Sequence, residues 1–206
     1  MSMIELERKL RQMYAAMSSV ISNDMSMVQP VVNANDGYVF VSLDFNKNSD
    51  EISLYNNATL LIANIASLKD YLKVWCKRNG KAFNGDNLIN SSKSVALIHD
   101  LWNTDKHVEL TSPRSGHKPK LSNVKTCMRI SGGTSDGSGG AFSFDPRTGK
   151  LEISTTGDGS VLLVLDSQIL DENGNFIADF VQTCEEAVEA WSSELVSVGV
   201  PLPNGN

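Results

Sequence analysis

Between Asp50 and Gly80 the apolar residues Leu54, Ala58, Leu61, Ile62, Ile65, Leu68, Leu72 and Trp75 recur at the spacing of one helix face. This stripe is the feature that most restricts the fold. A helix of this length with a continuous apolar face is stable only when other elements cover that face. Asp50 stands where an N-cap side chain would accept a first-turn N–H, and Gly80 where a left-handed residue would stop the helix.

Three other segments offer matching faces. Residues 3–21 place Ile4, Leu6, Leu10, Met13, Met17, Val20 and Ile21 at helical spacing among charged residues. Residues 87–109 carry an arc of Val95, Leu97, Ile98, Leu101, Trp102 and Val108, closed by Pro113. From about Asp179 to residue 198, Phe180, Val181, Cys184, Ala187, Val188, Trp191 and Leu195 share one face. The stretch YVFVSLDF alternates at period two and predicts short strands or an extended arm. Between residues 125 and 170, CMRIS, AFSFD, KLEIST and SVLLVLDSQIL are separated by glycine-containing turns, which predicts an antiparallel meander of about four strands. The predicted class is therefore α+β: a helical bundle of about four helices (3–21, 50–79, 87–109 and 179–198) with a small antiparallel β-sheet inserted at about 125–170, in a single domain over 1–206.

With 41% hydrophobic and 20% charged residues, the composition excludes disordered and fibrous classes. Cys76, Cys127 and Cys184 are widely spaced and odd in number, so neither a disulfide framework nor a zinc ribbon is encoded. The charged start MSMIELERKLRQMY does not resemble a signal peptide, and no stretch reaches the roughly 18 apolar residues of a membrane span. A cytoplasmic protein without membrane partners is expected. Charge is polarised: residues 1–150 hold all 18 Lys and Arg, whereas the last 56 residues hold 10 Asp and Glu and no Lys or Arg. Such a field favours solubility and docking between oppositely charged surfaces.

One segment concentrates functional chemistry. All three histidines, His99, His107 and His117, fall within residues 99–117, together with Asp100, Asn103, Asp105, Lys106 and Arg114 and just before Lys118 and Lys120. On a helix Asp100, Asn103 and His107 lie within about 60° of one another. An imidazole beside a carboxylate, an amide and a lysine can move a proton at a phosphate-linked substrate, so His107, Asn103, Lys106 and Asp100 are the catalytic candidates. Arg114, His117, Lys118 and Lys120 are the phosphate-binding candidates. The competing reading is structural: Asp100 and Asn103 satisfy buried polar groups where the helix crosses its neighbours.

The stretch IHDLWNTDKHVEL, preceded by SLKDYLKVWC, resembles a group of uncharacterised bacterial proteins with a D-L-x-N-x-x-K-H helix, which are similar in turn to HEPN-type helical bundles. That resemblance implies a dimeric bundle and metal-independent action on RNA through an arginine, a polar residue and a histidine. His107 matches the histidine and Asn103 the polar residue, but Trp102, Leu101 and Asp100 occupy the positions open to the arginine. The resemblance therefore implies a protein acting through oligomer or partner contacts in stress or phage-related biology. A metal-independent ribonuclease using His107, with Lys106 or Arg114 on the phosphate, is the alternative. A small-ligand binder with its pocket between bundle and sheet is the third. A homodimer and RNA are the expected partners, and no cofactor or metal is expected.

Other motifs lead elsewhere. His99-Asp100 lacks the upstream histidine of metal-dependent HD phosphohydrolases, and His99 and His107 are about 12 Å apart along a helix axis, too far to share zinc. GGTSDGSGG lacks the Lys-Ser/Thr of a phosphate-binding loop and reads as a mobile hairpin tip. DENGN lacks the ligand spacing of a calcium loop and reads as a turn. Residues 106–125 carry a net +4 without interleaved aromatics, which suits phosphate contact and not base reading.

Overall fold

Asp50 caps the long helix as its sequence requires. Its Oδ1 accepts the Ser53 N–H at 2.7 Å, and α2 runs over Glu51–Arg78. At the far end Lys81 N–H reaches back to Cys76 O at 2.9 Å across Gly80, whose φ of +64° is the left-handed conformation this stop demands. The computed structural model describes residues 2–22, 24–25, 28–35, 38–45, 50–106, 110–145 and 147–202. The chain gathers into two compact units, one of Met1–Ser19, Tyr55–Val124 and Asp166–Asn206, the other of Val20–Leu54 and Lys125–Leu165.

The first unit is mainly helical. It contains α1 (Met3–Val20), most of α2, α3 (Gly85–Ser91), α4 (Lys93–Lys106) and α5 (Phe180–Ser197). Its core is built from the predicted stripes: Leu6, Leu10 and Met13 of α1, Leu61, Ile65, Leu68 and Leu72 of α2, Leu97 and Ile98 of α4, and Phe180 and Trp191 of α5 are fully buried. Polar bonds set the pairing. Lys9 Nζ donates to Asn64 Oδ1 at 2.7 Å between α1 and α2, and the hydroxyls of Tyr14 and Ser192 join α1 to α5 at 3.2 Å. Asp179 Oδ1 caps α5 by accepting the Gln182 N–H at 2.8 Å. A small sheet of order β10-β9-β4 completes this unit, from β4 (Lys120–Leu121), β9 (Gln168–Leu170) and β10 (Phe176–Asp179).

The second unit is built of strands. β8 (Ser160–Asp166) lies between β1 (Ile21–Ser22) and β5 (Lys125–Ser131), while β2 (Gln29–Asn35) with β3 (Tyr38–Asp44) and β6 (Gly139–Asp145) with β7 (Lys150–Thr156) form separate antiparallel hairpins. Among the described residues no helix is long and apolar enough to cross a membrane.

The expected fold needs correction. This is not a four-helix bundle with one inserted sheet but a mixed α+β fold, with five helices and ten strands in four small sheets among the described residues. One cause is local and one is a long-range pairing. The helix expected over 87–109 is divided at Ser92, whose N–H bonds Leu88 O at 3.0 Å to close α3 while its Oγ accepts the Val95 N–H at 3.3 Å to open α4. The predicted four-strand meander is divided because β8, with Val161, Leu163, Val164 and Leu165 buried, takes β1 and β5 as its two neighbours. A near-continuous apolar strand gains most from an interior position. β6 and β7, largely exposed, are left as their own hairpin.

The glycine-rich run ahead of β6 is tied down. Asp158 accepts the Thr134 N–H at 2.9 Å, the Thr134 hydroxyl at 2.8 Å, the Ser135 N–H at 3.2 Å and the Ser138 hydroxyl. These donors, led by Ser138, hold its carboxyl far below the usual carboxylate range. A folded-state value depressed in this way keeps the loop bonded at every pH above the ordinary carboxylate range, and the bonding is lost only as pH falls through the folded value. Protection of the Thr134 and Ser135 amides, corrected for intrinsic exchange, is thus expected to match between pH 5 and pH 7. In Asp158→Ala it should fall several-fold; equal protection in the variant would show that the carboxylate does not hold the loop.

Candidate functional site

α4 carries three of the four catalytic candidates, Asp100, Asn103 and Lys106. Asp100 points inward and is 1% exposed. Its two oxygens accept the backbone N–H groups of Arg114 at 3.1 Å and Ser115 at 2.7 Å. Burial pushes its pKa up, but the adjacent His99 imidazole and the Ser115 and Arg114 donors outweigh this and hold the carboxyl below its ordinary value. Asp100 therefore anchors the segment that follows α4. Asn103 places its amide 3.1 Å from His99 Nδ1. The same nitrogen is 3.7 Å from Asp100 Oδ1, too long for a hydrogen bond, so the amide is the partner that orients the ring. Lys106 stacks its ammonium 4.0 Å from the centre of the Trp102 ring, one helical turn back. His107 lies outside the described residues, as does the step from α4 into residue 110.

The phosphate-binding candidates do not form one patch. The Arg114 guanidinium turns back onto α3, donating to Asn90 Oδ1 at 3.0 Å and lying 3.6 Å from Asp86 Oδ1, which also faces Lys69 at 3.6 Å. His117 lies beside Asp171 and Glu172, and the Lys118 N–H donates to Glu172 Oε2 at 3.3 Å. Lys120 opens β4 and is exposed. These places follow from β-pairing: Lys120 opposes Leu170 and Leu121 opposes Ile169, which lays the basic loop along the turn at Asp171.

The same pairing builds a cleft. Between α2, α4 and the β4 segment lies a cavity of about 240 Å³. Ile62, Leu101 and Leu121 supply apolar wall, and Tyr55 and Trp102 supply aromatic surface. Thr59, Thr104, Asp105 and Lys120 add hydroxyls, a carboxylate and an ammonium. Sequence reasoning placed Trp102 and Leu101 in a buried arc and Asp105 in the histidine-rich cluster, and did not single out Tyr55, Thr59 or Thr104. The available signal was the wide arc itself: Trp102 is its one member among the described residues that is only half-buried. The other wall comes from β4, which a two-residue strand cannot announce. An apolar floor with a few convergent polar groups is the usual chemistry of a small-molecule site. No protein family, curated protein or solved structure matches this chain.

Proposed function

We propose that this chain binds a small organic ligand in the cleft between α2, α4 and β4. The carrying observation is that a cavity of about 240 Å³ combines the Tyr55 and Trp102 rings with the Lys120 ammonium, inside one compact unit. Pockets for drug-sized ligands run from roughly 300 to 1,000 Å³, so this one fits a smaller molecule or one moiety of a larger one. Aromatic walls favour a planar ring, and the ammonium favours an anionic substituent on it. RNA cleavage has less support. The Asp100 carboxylate, the Asn103 amide and the Arg114 guanidinium, which would have served it, are engaged by Ser115, His99 and Asn90.

Adenosine 5′-monophosphate and uncharged adenosine serve as probes. Trp75 and Trp191 are buried, so a change in tryptophan emission on binding at the cleft reports on Trp102. The expected result is a saturable change with the monophosphate, lost in Trp102→Phe as a signal and in Trp102→Ala as binding seen by calorimetry. Lys120→Ala should weaken the monophosphate several-fold and leave adenosine unaffected. At 100 times its dissociation constant a ligand adds about 2.7 kcal/mol of stability, visible as a raised Tm. Neither an emission change nor a raised Tm with either probe would remove this reading.

A further inference from the structure

We propose that His117, Asp171 and Glu172 form a binding site for one divalent first-row transition ion, with Zn²⁺ as its probe. This does not rest on ligand binding in the cleft. The three side chains come from two stretches more than fifty residues apart, the loop before β4 and the turn after β9. One imidazole nitrogen and one oxygen from each carboxylate lie within 4.8 Å of one another. An ion bound at roughly 2.0–2.2 Å holds its ligand atoms no more than about 4.4 Å apart. In the tetrahedral arrangement zinc prefers the separation is about 3.3–3.6 Å, so the exposed His117 and Glu172 side chains close the site by swinging about 1 Å toward the half-buried Asp171.

The backbone holds both carboxylates in place. Asp171 Oδ1 accepts the Asn173 N–H at 2.9 Å and the Asn175 N–H at 2.8 Å, while Oδ2 accepts the Asn175 amide at 2.8 Å. A carboxylate oxygen has two lone pairs, so Oδ2 retains one for a metal. Two ionised carboxylates match the charge of a divalent ion. The imidazole decides the class: magnesium and calcium select oxygen ligands, whereas a mixed nitrogen and oxygen set suits zinc, nickel, cobalt or manganese.

Calorimetric titration of the full chain with ZnCl₂ at pH 7.5 tests this. One ion per chain is expected, with binding about tenfold or more weaker in His117→Ala and in Glu172→Gln, and unchanged in His99→Ala and His107→Ala. His117 and Glu172 are exposed, so circular dichroism should show unaltered folding in both weakened variants. Co²⁺ should give visible d–d absorption without a thiolate charge-transfer band, and excess Mg²⁺ should not displace it. Absence of binding heat, full binding in His117→Ala, or a thiolate band pointing to Cys127 would each overturn the proposal.

Discussion

Asp100→Ala is expected to lower the unfolding free energy by about 3 kcal/mol at pH 7, read by urea denaturation. The loss is not that of a surface ion pair. Asp100 is 1% exposed and both its oxygens are bonded to N–H groups, of Arg114 and Ser115. A hydrogen bond to a charged acceptor contributes about 1.5–3 kcal/mol, and a buried donor left alone costs about 1–3 kcal/mol. Asp100→Asn keeps one acceptor and should lose about half as much. Because the carboxyl is held below its ordinary value in the folded chain, its contribution is complete above the unfolded pKa near 4 and vanishes as pH falls through the folded one. The gap between wild type and Asp100→Asn should thus close in acid. Pro119 of the same loop and Lys120 and Leu121 of β4, into which it leads, line the cleft. Loosening the anchor should weaken binding of adenosine 5′-monophosphate without altering a cleft residue. A stability change under about 0.5 kcal/mol in Asp100→Ala would show that the loop is held by other means.

Trp191→Ala is expected to cost about 4 kcal/mol, the usual toll for emptying an indole-sized volume from a packed core. Trp191 is 1% exposed on the inward face of α5. Its behaviour in Trp191→Phe should differ sharply. The indole Nε1–H is buried with no hydrogen-bond partner among the described residues, so the native chain already bears an unsatisfied donor. Phenylalanine removes that donor along with part of the ring, and the two effects oppose each other. A loss of about 1 kcal/mol is expected. If the phenylalanine variant lost as much as the alanine one, the indole would have to be bonded in solution.

These two residues also show how far the chain could be read before its fold was known. Trp191 was legible: its place among Cys184, Ala187 and Leu195 assigns it to the covered face of a helix, and the structure buries all four. The α2 stripe and its Asp50 cap were legible for the same reason, since both depend on residues within a few positions of each other. Asp100 was legible only as a polar residue at a helical position. Whether it faces water or holds a loop depends on Arg114 and Ser115, fourteen and fifteen residues later. The break at Ser92 escaped the periodicity because the apolar arc resumes on its far side, and the cap that divides the helices is one side-chain bond.

The sequence by itself determined the helical faces, the cap at Asp50, the turns at Gly80 and Asp171, and the division of charge along the chain, because each is a matter of near neighbours and of composition. Tertiary structure alone decided which strands pair and what the polar residues do. β8 could have joined a meander; one neighbour on either side of an apolar strand made it central instead. His117 could have met an anion; the short pairing of β4 with β9 set it against two carboxylates, and placed Lys120 beside Trp102 in one cleft. Contacts between segments distant in the chain form only when burial repays the entropy of closing long loops, and local spacing carries no record of that balance.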